Sequence, residues 1–168
     1  LLIEENSIFY DIGSNWGFFT LYALSNKNFN GSVHAFEPNP TTFDDLNDIA
    51  DQSPFRDRIT CHQIALSDHS GTARMELFDG IQSGLARLTQ NKSGFKVNTA
   101  CLDDMNLPAP DIIKMDVEGH EEETLKGTVK ILSNYHPMII FENWLEPNSP
   151  EVTMAPLRLL KELGYCFF

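Results

Sequence analysis

Short apolar segments alternate with helix-like segments along most of this chain, and this alternation restricts the fold more than any other feature. Buried strands are predicted over residues 8–12, 32–36, 59–66, 111–115 and 138–141. Helices are predicted over about residues 17–25, 41–50, 120–132 and 156–163. Because strands joined through helices form βαβ units, the sequence predicts an α/β fold with a mostly parallel central sheet flanked by helices.

Two helix details follow from local patterns. In the first helix, Phe18, Leu21 and Tyr22 share a face, and we expect that face to pack on the sheet. Pro38 and Pro40 break the chain before the second helix, and Thr41 or Thr42 is the expected cap.

An antiparallel insertion is predicted in the middle of the chain. Residues 72–78 alternate between apolar and polar side chains, which is typical of a partly exposed antiparallel strand, and residues 97–102 form another short strand. Residues 79–96 are polar and contain glycine and serine, so a long loop is predicted there. A loop of this length is either a functional lid or a disordered segment, and the sequence leaves both open.

Length and composition limit the class of protein. The 168 residues suit one domain. The sequence begins and ends abruptly, which leaves open that this domain is trimmed at both ends. No apolar run approaches the roughly 18 residues of a membrane span, so no membrane partner is expected. The net charge of −12 disfavours nucleic acid as a partner. Cys61, Cys101 and Cys166 lack the spacing of a zinc site or a disulfide framework, which favours a cytoplasmic protein.

The first strand runs into a turn that carries Asp11, Gly13 and Gly17. Glycine has no Cβ, so it permits a positive φ and lets a ligand approach the backbone. A helix begins after Gly17, and its N-terminus would face that ligand. The segment is therefore predicted to be a cofactor loop.

Acidic residues follow or end several predicted strands. Asp11, Glu37, Asp116 and Glu142 are each placed where a parallel strand reaches its carboxyl end, the edge at which α/β sheets bind ligands. A single such carboxylate is often a helix cap or a solvated side chain. Four on one rim would repel one another, so we expect a cationic or hydroxyl-rich ligand to compensate.

The glycine spacing distinguishes two candidate cofactors. Glu37 lies 20 residues beyond Gly17, where a carboxylate binds the ribose hydroxyls of an adenosine. A dinucleotide fingerprint would place glycine at positions 13, 15 and 18, whereas this chain has Asn15 and Phe18. S-adenosylmethionine, which has no phosphate and carries a sulfonium cation, fits this pattern better. A nucleotide-dependent oxidoreductase and a non-catalytic binding module stay as alternatives.

Five motifs in order carry a resemblance to a known family. They are Phe9-Tyr-Asp-Ile-Gly-Ser-Asn-Trp-Gly17, Val33-His-Ala-Phe-Glu-Pro-Asn39, Ile64-Ala-Leu-Ser-Asp68, Leu102-Asp-Asp104 and Ile113-Lys-Met-Asp-Val-Glu-Gly-His-Glu121. With them the chain resembles the FkbM-type family of S-adenosylmethionine-dependent methyltransferases, from Phe9 to Tyr165. The resemblance implies a Rossmann-like class I methyltransferase fold, and O-methylation of a small-molecule or sugar hydroxyl.

The resemblance also implies a set of site residues. The cofactor would contact the glycine loop, the end of the second strand, the segment near the adenine and the end of the fourth parallel strand, that is Asp11, Gly13, Ser14, Asn15, Gly17, Glu37, Pro38, Ala65, Leu66, Ser67 and Asp116. Asp116, Glu118 and His120 would face the transferred methyl group and the acceptor. Some of these residues also have a purely structural interpretation. Gly119 would then start a helix, Glu118 would stabilise the N-terminus of that helix, and His120 would be a surface residue. Trp16 is expected to belong to the core or to the pocket wall.

A hydroxyl acceptor needs a base within hydrogen-bond reach, whereas positioning supplies most of the remaining rate. Asp116 is the first choice and His120 the second, with Glu118 and Glu142 as further catalytic candidates. Clustered carboxylates also suit Mg²⁺, but that pattern is unspecific, and no metal is expected.

Overall fold

The computed structural model describes residues 3–78, 82–89, 94–142 and 153–167. Its strands, in chain order, are β1 Ile8–Ile12, β2 Ser32–Phe36, β3 Ile59–His62, β4 Ala65–Leu66, β5 Gly71–Phe78, β6 Gln82–Thr89, β7 Phe95–Ala100, β8 Ile112–Met115 and β9 Met138–Phe141. The helices are α1 Phe18–Ser25, α2 Pro40–Gln52, α3 Glu121–Lys126, α4 Val129–Tyr135 and α5 Ala155–Glu162, with short 3₁₀ turns at Arg56–Arg58 and Leu102–Asp104.

The main sheet is parallel and has the strand order β3-β2-β1-β8-β9. Successive side chains on a strand point to opposite faces, and each face here has its own core. Phe9, Val33 and Ile112 pack with α1 residues Ala23 and Leu24. The other face packs against α3, α4 and α5 through Tyr10, Ile12, Phe36, Ile113, Leu125, Leu132 and Leu160. The predicted parallel sheet flanked by helices is confirmed.

A second sheet with the order β4-β7-β5-β6 forms the predicted antiparallel insertion. β5 pairs antiparallel with both β6 and β7, whereas β4 runs parallel to β7. The single strand predicted over residues 59–66 is wrong, because its two halves belong to different sheets. β3 pairs with β2, while Ala65 and Leu66 pair with Thr99 and Ala100 of β7.

The prediction of a loop over residues 79–96 is wrong for residues 82–89, which form β6, and for residues 95–96, which begin β7. β6 pairs with β5, with Met75 opposite Leu88 and Arg74 opposite Thr89. A polar composition does not prevent a strand from forming when a neighbouring strand supplies hydrogen bonds to its backbone. Residues 79–81 and 90–93, on which the lid hypothesis also rests, lie outside the described residues.

Three helix predictions need correction. The α1 face toward the sheet carries Thr20, Ala23 and Leu24, whereas Phe18 and Tyr22 are exposed and their rings stack with a 6.2 Å centroid separation. This helix is aromatic on several sides, so its pattern does not reveal which face is buried.

The cap of α2 is Asn39, whose side-chain oxygen accepts a hydrogen bond from the Thr41 backbone N–H, so neither threonine is the cap. The helix predicted over residues 120–132 is two helices that meet near Gly127. A Cβ on Gly127 would lie 1.9 Å from the Ser67 carbonyl oxygen, and this close approach requires a glycine where the first helix ends.

None of the helices in the described ranges combines the length and the apolar character needed to cross a membrane.

Candidate functional site

A cleft opens at the carboxyl ends of the central strands, where the strand order reverses between β1 and β8. Ligands bind at this position in open α/β sheets. The cleft holds about 630 Å³ of empty space, part of which is open to solvent. It is lined by Ile12, Gly13, Asn15, Phe36, Glu37, Pro38, Ile64, Ala65, Leu66, Met75, Leu88, Asp116, Val117, Glu118 and His120.

Residues 13–17, here named the glycine turn, form one wall of the cleft. The backbone N–H groups of Gly13 and Ser14 both donate to the Phe36 carbonyl at 3.0 Å. Gly13, Asn15 and Gly17 all have positive φ, at 71°, 50° and 81°. A Cβ on Gly13 would lie 1.8 Å from a carbonyl oxygen of the strand end opposite, so only glycine fits there. Asn15, where a dinucleotide site would have glycine, adopts the left-handed conformation that asparagine tolerates best.

Glu37 lines the cleft at the end of β2 and is 6% exposed. Its two carboxylate oxygens accept hydrogen bonds from backbone N–H groups, Oε2 from Asn15 at 3.0 Å and Oε1 from Asn39 at 2.8 Å. Burial raises the pKa of the Glu37 carboxyl, and these two amides and the Lys114 ammonium partly offset that rise. A carboxylate has about four acceptor positions, so two remain for a ligand's hydroxyl groups.

Asp11 is placed differently from the expectation of a four-carboxylate rim. Its side chain is fully buried beneath the glycine turn, where Oδ2 accepts from the Thr20 backbone N–H at 3.1 Å and the Thr20 hydroxyl at 2.8 Å. Asp11 is the fourth residue of a five-residue strand, and its side chain points to the α1 face of the sheet. Glu142 is exposed after β9 and does not line the cleft. The strand ends therefore bring Glu37 and Asp116 together, but not Asp11 or Glu142.

Sequence reasoning missed Lys114, which compensates the negative charge at this edge. It is 8% exposed and lies beside Asp11 in the register of β8 and β1. Its Nζ atom lies 3.3 Å from Asp11 Oδ1 and 3.8 Å from Asp116 Oδ2, and it donates to the Gly13 carbonyl at 2.8 Å. The expected need for a cationic ligand is therefore met in part by the protein itself. The sequence did contain a signal for this role, because Lys114 lies within an apolar strand and a buried lysine is almost always paired with a negative charge.

The far wall of the cleft is apolar and comes from the second sheet and from Ile64, which precedes β4. Ala65 and Leu66, which are predicted to lie near the adenine, line this wall, and Ile64, Met75 and Leu88 add to it. Met75 and Leu88 face one another across β5 and β6. The alternation of residues 72–78 could have indicated Met75, but Leu88 lies in the stretch that was predicted to be a loop.

Two serines that are predicted to bind the cofactor, Ser14 and Ser67, lie behind the cleft. Ser67 is 1% exposed and Ser14 is 4% exposed, and neither lines the cleft. The Ser14 hydroxyl oxygen has no hydrogen-bond partner among the described residues. Gly17 also lies off the cleft, and a Cβ there would come within 2.7 Å of the Leu46 side chain. Trp16 is 52% exposed and its Nε1 donates to Asp45, so it belongs neither to the core nor to the cleft wall.

Residues 116–120, here named the acidic turn, follow β8 and form the part of the cleft wall next to the glycine turn. The backbone N–H of Asp116 donates to the Ile12 carbonyl at 3.0 Å, and its carboxylate is 41% exposed. Glu118 and Gly119 both have positive φ, at 51° and 91°. Glutamate in this conformation is uncommon and marks a strained position of the kind found at functional sites. Burial, and then the charges of Asp116, Glu142 and Glu121, raise the pKa of the Glu118 carboxyl.

His120 closes the acidic turn, and both of its ring nitrogens have protein partners. Nε2 lies 3.0 Å from the Ser67 hydroxyl, and Nδ1 lies 3.6 Å from Glu123 Oε2. Burial lowers the pKa of His120, and the nearby carboxylates of Glu123 and Asp68 oppose this only in part. Its imidazole is therefore held in place as the neutral form near pH 7.

The residues present fit S-adenosylmethionine. The Glu37 carboxylate keeps acceptor positions for ribose hydroxyls, and apolar Ile64, Leu66 and Met75 suit an adenine ring. The unpartnered Ser14 hydroxyl belongs to the turn at which the methionine end would be bound. No group of three or more His, Cys, Asp or Glu side chains in the described ranges is arranged to bind a metal ion.

Comparisons with known proteins identify the family of this chain. The model of the family described as "Methyltransferase FkbM domain" matches residues 11–167. A curated relative, the hexuronic acid methyltransferase AglP of Haloferax volcanii, is 32% identical over 141 residues, which cover 82% of this chain and 56% of that protein. The chain thus spans little more than half the length of the curated relative that it matches.

Solved structures show the same fold at low sequence identity. The FkbM methyltransferase of Methylobacillus flagellatus superposes with a TM-score of 0.69 at 20% identity, covering 96% of this chain and 38% of that one. The precorrin-6Y C5,15-methyltransferase of Geobacter metallireducens gives a TM-score of 0.58 at 18% identity, covering 98% and 66%. The fold is that of class I methyltransferases. The chain belongs to the FkbM family of methyltransferase domains, whose cofactor is S-adenosylmethionine.

Proposed function

We propose that this chain transfers a methyl group from S-adenosylmethionine to a hydroxyl oxygen of a small molecule, and that the acceptor is a sugar or sugar acid. The observation that supports this most directly is the composition of one cleft. Glu37, suited to a ribose, and Asp116, Glu118 and His120, which can accept a proton or hydrogen bonds, line the same space.

The cofactor is assigned to the part of the cleft that is formed by the glycine turn, the end of β2 and the apolar far wall. Gly13 and Asn15 would contact the methionine end, Glu37 and Pro38 the ribose, and Ala65 and Leu66 the adenine. Asp11, Gly17 and Ser67 would act from behind the cleft, because they hold the surrounding backbone and side chains rather than line the space. S-adenosylmethionine, when bound, supplies an electrophilic methyl group on a sulfonium sulfur.

Asp116 is the first choice as the group that takes the acceptor's proton. Its carboxylate lines the cleft, is partly exposed and is hydrogen-bonded through its backbone to the end of β1. Glu118 is the second, since it also lines the cleft and burial raises the pKa of its carboxyl, which strengthens it as a base wherever it is ionised. His120 already has partners at both ring nitrogens, so it is assigned to holding Ser67 and the start of α3. Glu142, outside the cleft, has the weakest support.

The acceptor class rests on the relative's name and on charge. A hexuronic acid methyltransferase is 32% identical over most of this chain, which favours a sugar acid. The net charge of −12 disfavours nucleic acids. A hexuronic acid offers hydroxyl and carboxylate oxygens, and a hydroxyl is the acceptor that needs a base such as Asp116.

Calorimetric titration with S-adenosylmethionine and a labelled-methyl assay test this proposal together. The acceptor panel contains neutral hexoses, hexuronic acids, and hexuronic acid methyl esters, whose carboxylate is blocked while the hydroxyl groups stay free. We expect cofactor binding, and methyl transfer to both the acids and their esters.

Other results would contradict the proposal at different points. Transfer to the acids but not to the esters would make the carboxylate the acceptor. Binding of S-adenosylmethionine without transfer to any hydroxyl compound would favour the non-catalytic binding module. Absence of cofactor binding by the intact chain would remove the methyltransferase assignment itself, whereas the family membership already argues against an oxidoreductase.

A further inference from the structure

Lys114 is a cation inside an otherwise apolar strand. Its neighbours on β8, Ile112, Ile113 and Met115, are buried hydrophobic residues. Removing an ammonium group from water is costly unless partners replace the lost hydration. A lysine at this position therefore has to be explained by what its ammonium contacts.

Those contacts join three parts of the site. Nζ donates to the Gly13 carbonyl of the glycine turn, lies 3.3 Å from Asp11 beneath that turn, and lies 3.8 Å from Asp116 on the acidic turn. The Phe19 ring centroid lies 5.2 Å away, within cation–π range. The ammonium thus lies between the two turns and contacts both.

The charge balance explains why the ammonium can act on the cleft. Asp11 Oδ2 is taken by Thr20, and Oδ1 has no hydrogen bond, so Lys114 supplies its only charge compensation among the described residues. Asp116 is the second carboxylate near the same ammonium and the only one of the two that lines the cleft. Its orientation therefore depends on where Lys114 is held.

We propose that Lys114 is a positioning residue for methyl transfer: by binding the Gly13 carbonyl and the Asp116 carboxylate it sets the spacing between the cofactor turn and the proton-accepting group. This inference rests on the proposed function. Small misplacements of reacting groups are costly, so its loss should lower turnover more than it weakens cofactor binding, to which Glu37 contributes through a carboxylate that is also held by the Asn39 backbone N–H.

The test compares two variants with the native chain. Lys114→Met alone leaves the buried Asp11 carboxylate unpaired and is expected to unfold readily. The double variant Asp11→Asn/Lys114→Met removes both buried charges and keeps an oxygen for Thr20. Lys114→Arg keeps the charge and several donors, and serves as the conservative rescue.

We expect the double variant to bind S-adenosylmethionine within about 10-fold of the native dissociation constant and to lose about 100-fold in kcat. Lys114→Arg should recover most of that loss. In the absence of cofactor and acceptor, amide hydrogen exchange should show lost protection at Gly13 and Ser14 in the double variant, with native protection in Lys114→Arg and throughout α2.

Native turnover in the double variant would overturn the proposal. So would a loss of protection that extends through α2, since that pattern indicates a structural role for the whole fold. If the native chain transfers no methyl group to any acceptor, the proposed function fails, and the exchange at Gly13 and Ser14 still decides whether Lys114 holds the turn.

Discussion

The glycine turn and the acidic turn lie side by side at one cleft, yet they are built in different ways. In the glycine turn, the backbone N–H groups of Gly13 and Ser14 donate to the Phe36 carbonyl, and that of Asn15 donates to the Glu37 carboxylate, so the main chain of the turn is tied to the end of β2. In the acidic turn, Asp116 is tied to β1 through its backbone, but Gly119 faces open space. The turn proposed to bind the cofactor is thus tied to β2 by several hydrogen bonds, whereas part of the turn proposed to face the acceptor lies in open space.

Gly13→Ala should have the largest effect, because the new Cβ would collide with the Asp116 carbonyl and φ is 71°. We expect a loss of about 3–5 kcal/mol in the free energy of unfolding and no measurable cofactor binding. Thermal unfolding and calorimetry measure both. Gly164→Ala, at a φ of 89° with no atom within 4 Å, controls for backbone strain alone. Similar losses in the two variants would show that contact with the acidic turn is unimportant.

Asp116→Asn should separate the two halves of the cleft. We expect kcat to fall by about 100- to 10,000-fold, as for loss of a general base, while S-adenosylmethionine still binds. Steady-state kinetics and calorimetry provide the measurements, with Glu142→Gln as the comparison because Glu142 lies outside the cleft. A greater loss in Glu142→Gln than in Asp116→Asn would reassign the base.

Glu37→Gln should affect the cofactor half alone. Removing the charge weakens hydrogen bonds to the ribose and to the backbone N–H groups of Asn15 and Asn39, and a charged hydrogen bond contributes about 1.5–3 kcal/mol. We therefore expect the dissociation constant of S-adenosylmethionine to rise about 10- to 100-fold. The turnover at saturating cofactor should change less. Glu162→Gln, exposed on α5, is the matched control, and equal binding by both variants would contradict the assignment of Glu37.

Gly119→Ala should have the smallest effect, since no atom lies within 4 Å of the new Cβ. Only the strain of a left-handed conformation remains, which costs about 1–2 kcal/mol. Urea denaturation should show that modest loss, with cofactor affinity near the native value. A loss as large as that of Gly13→Ala would mean that the backbone of the acidic turn is as constrained as that of the glycine turn.

The same contrast explains which parts of the site could be predicted from the sequence. Gly13 and Glu37 are placed by strand ends and by spacing along the chain, and both line the cleft. Asp11 was misplaced because composition predicts the end of a strand only to within about one residue. A shift of one residue moves a side chain to the opposite face of the sheet. Lys114 was missed because its role depends on a neighbouring strand that lies about a hundred residues away in the chain.

Longer-range packing accounts for the remaining differences. Leu88 reaches the cleft only because β6 pairs with β5, a contact that the polar composition of residues 79–96 concealed. Phe18 and Tyr22 are aromatic but exposed, since the smaller Ala23 and the Asp11 partner Thr20 occupy the inner side of α1. Hydrophobicity predicts burial only when the orientation of a helix is known.

The contact between Gly13 and the Asp116 carbonyl also restricts which residues position 13 can accept. A larger residue at position 13 would require the end of β8 to move at the same time, a combination that single substitutions cannot reach without an unstable intermediate. Val117 has no positive φ, so its side chain carries no comparable backbone restriction. We therefore expect substitution at Val117 to be able to alter the proposed acceptor preference while the glycine turn keeps its shape.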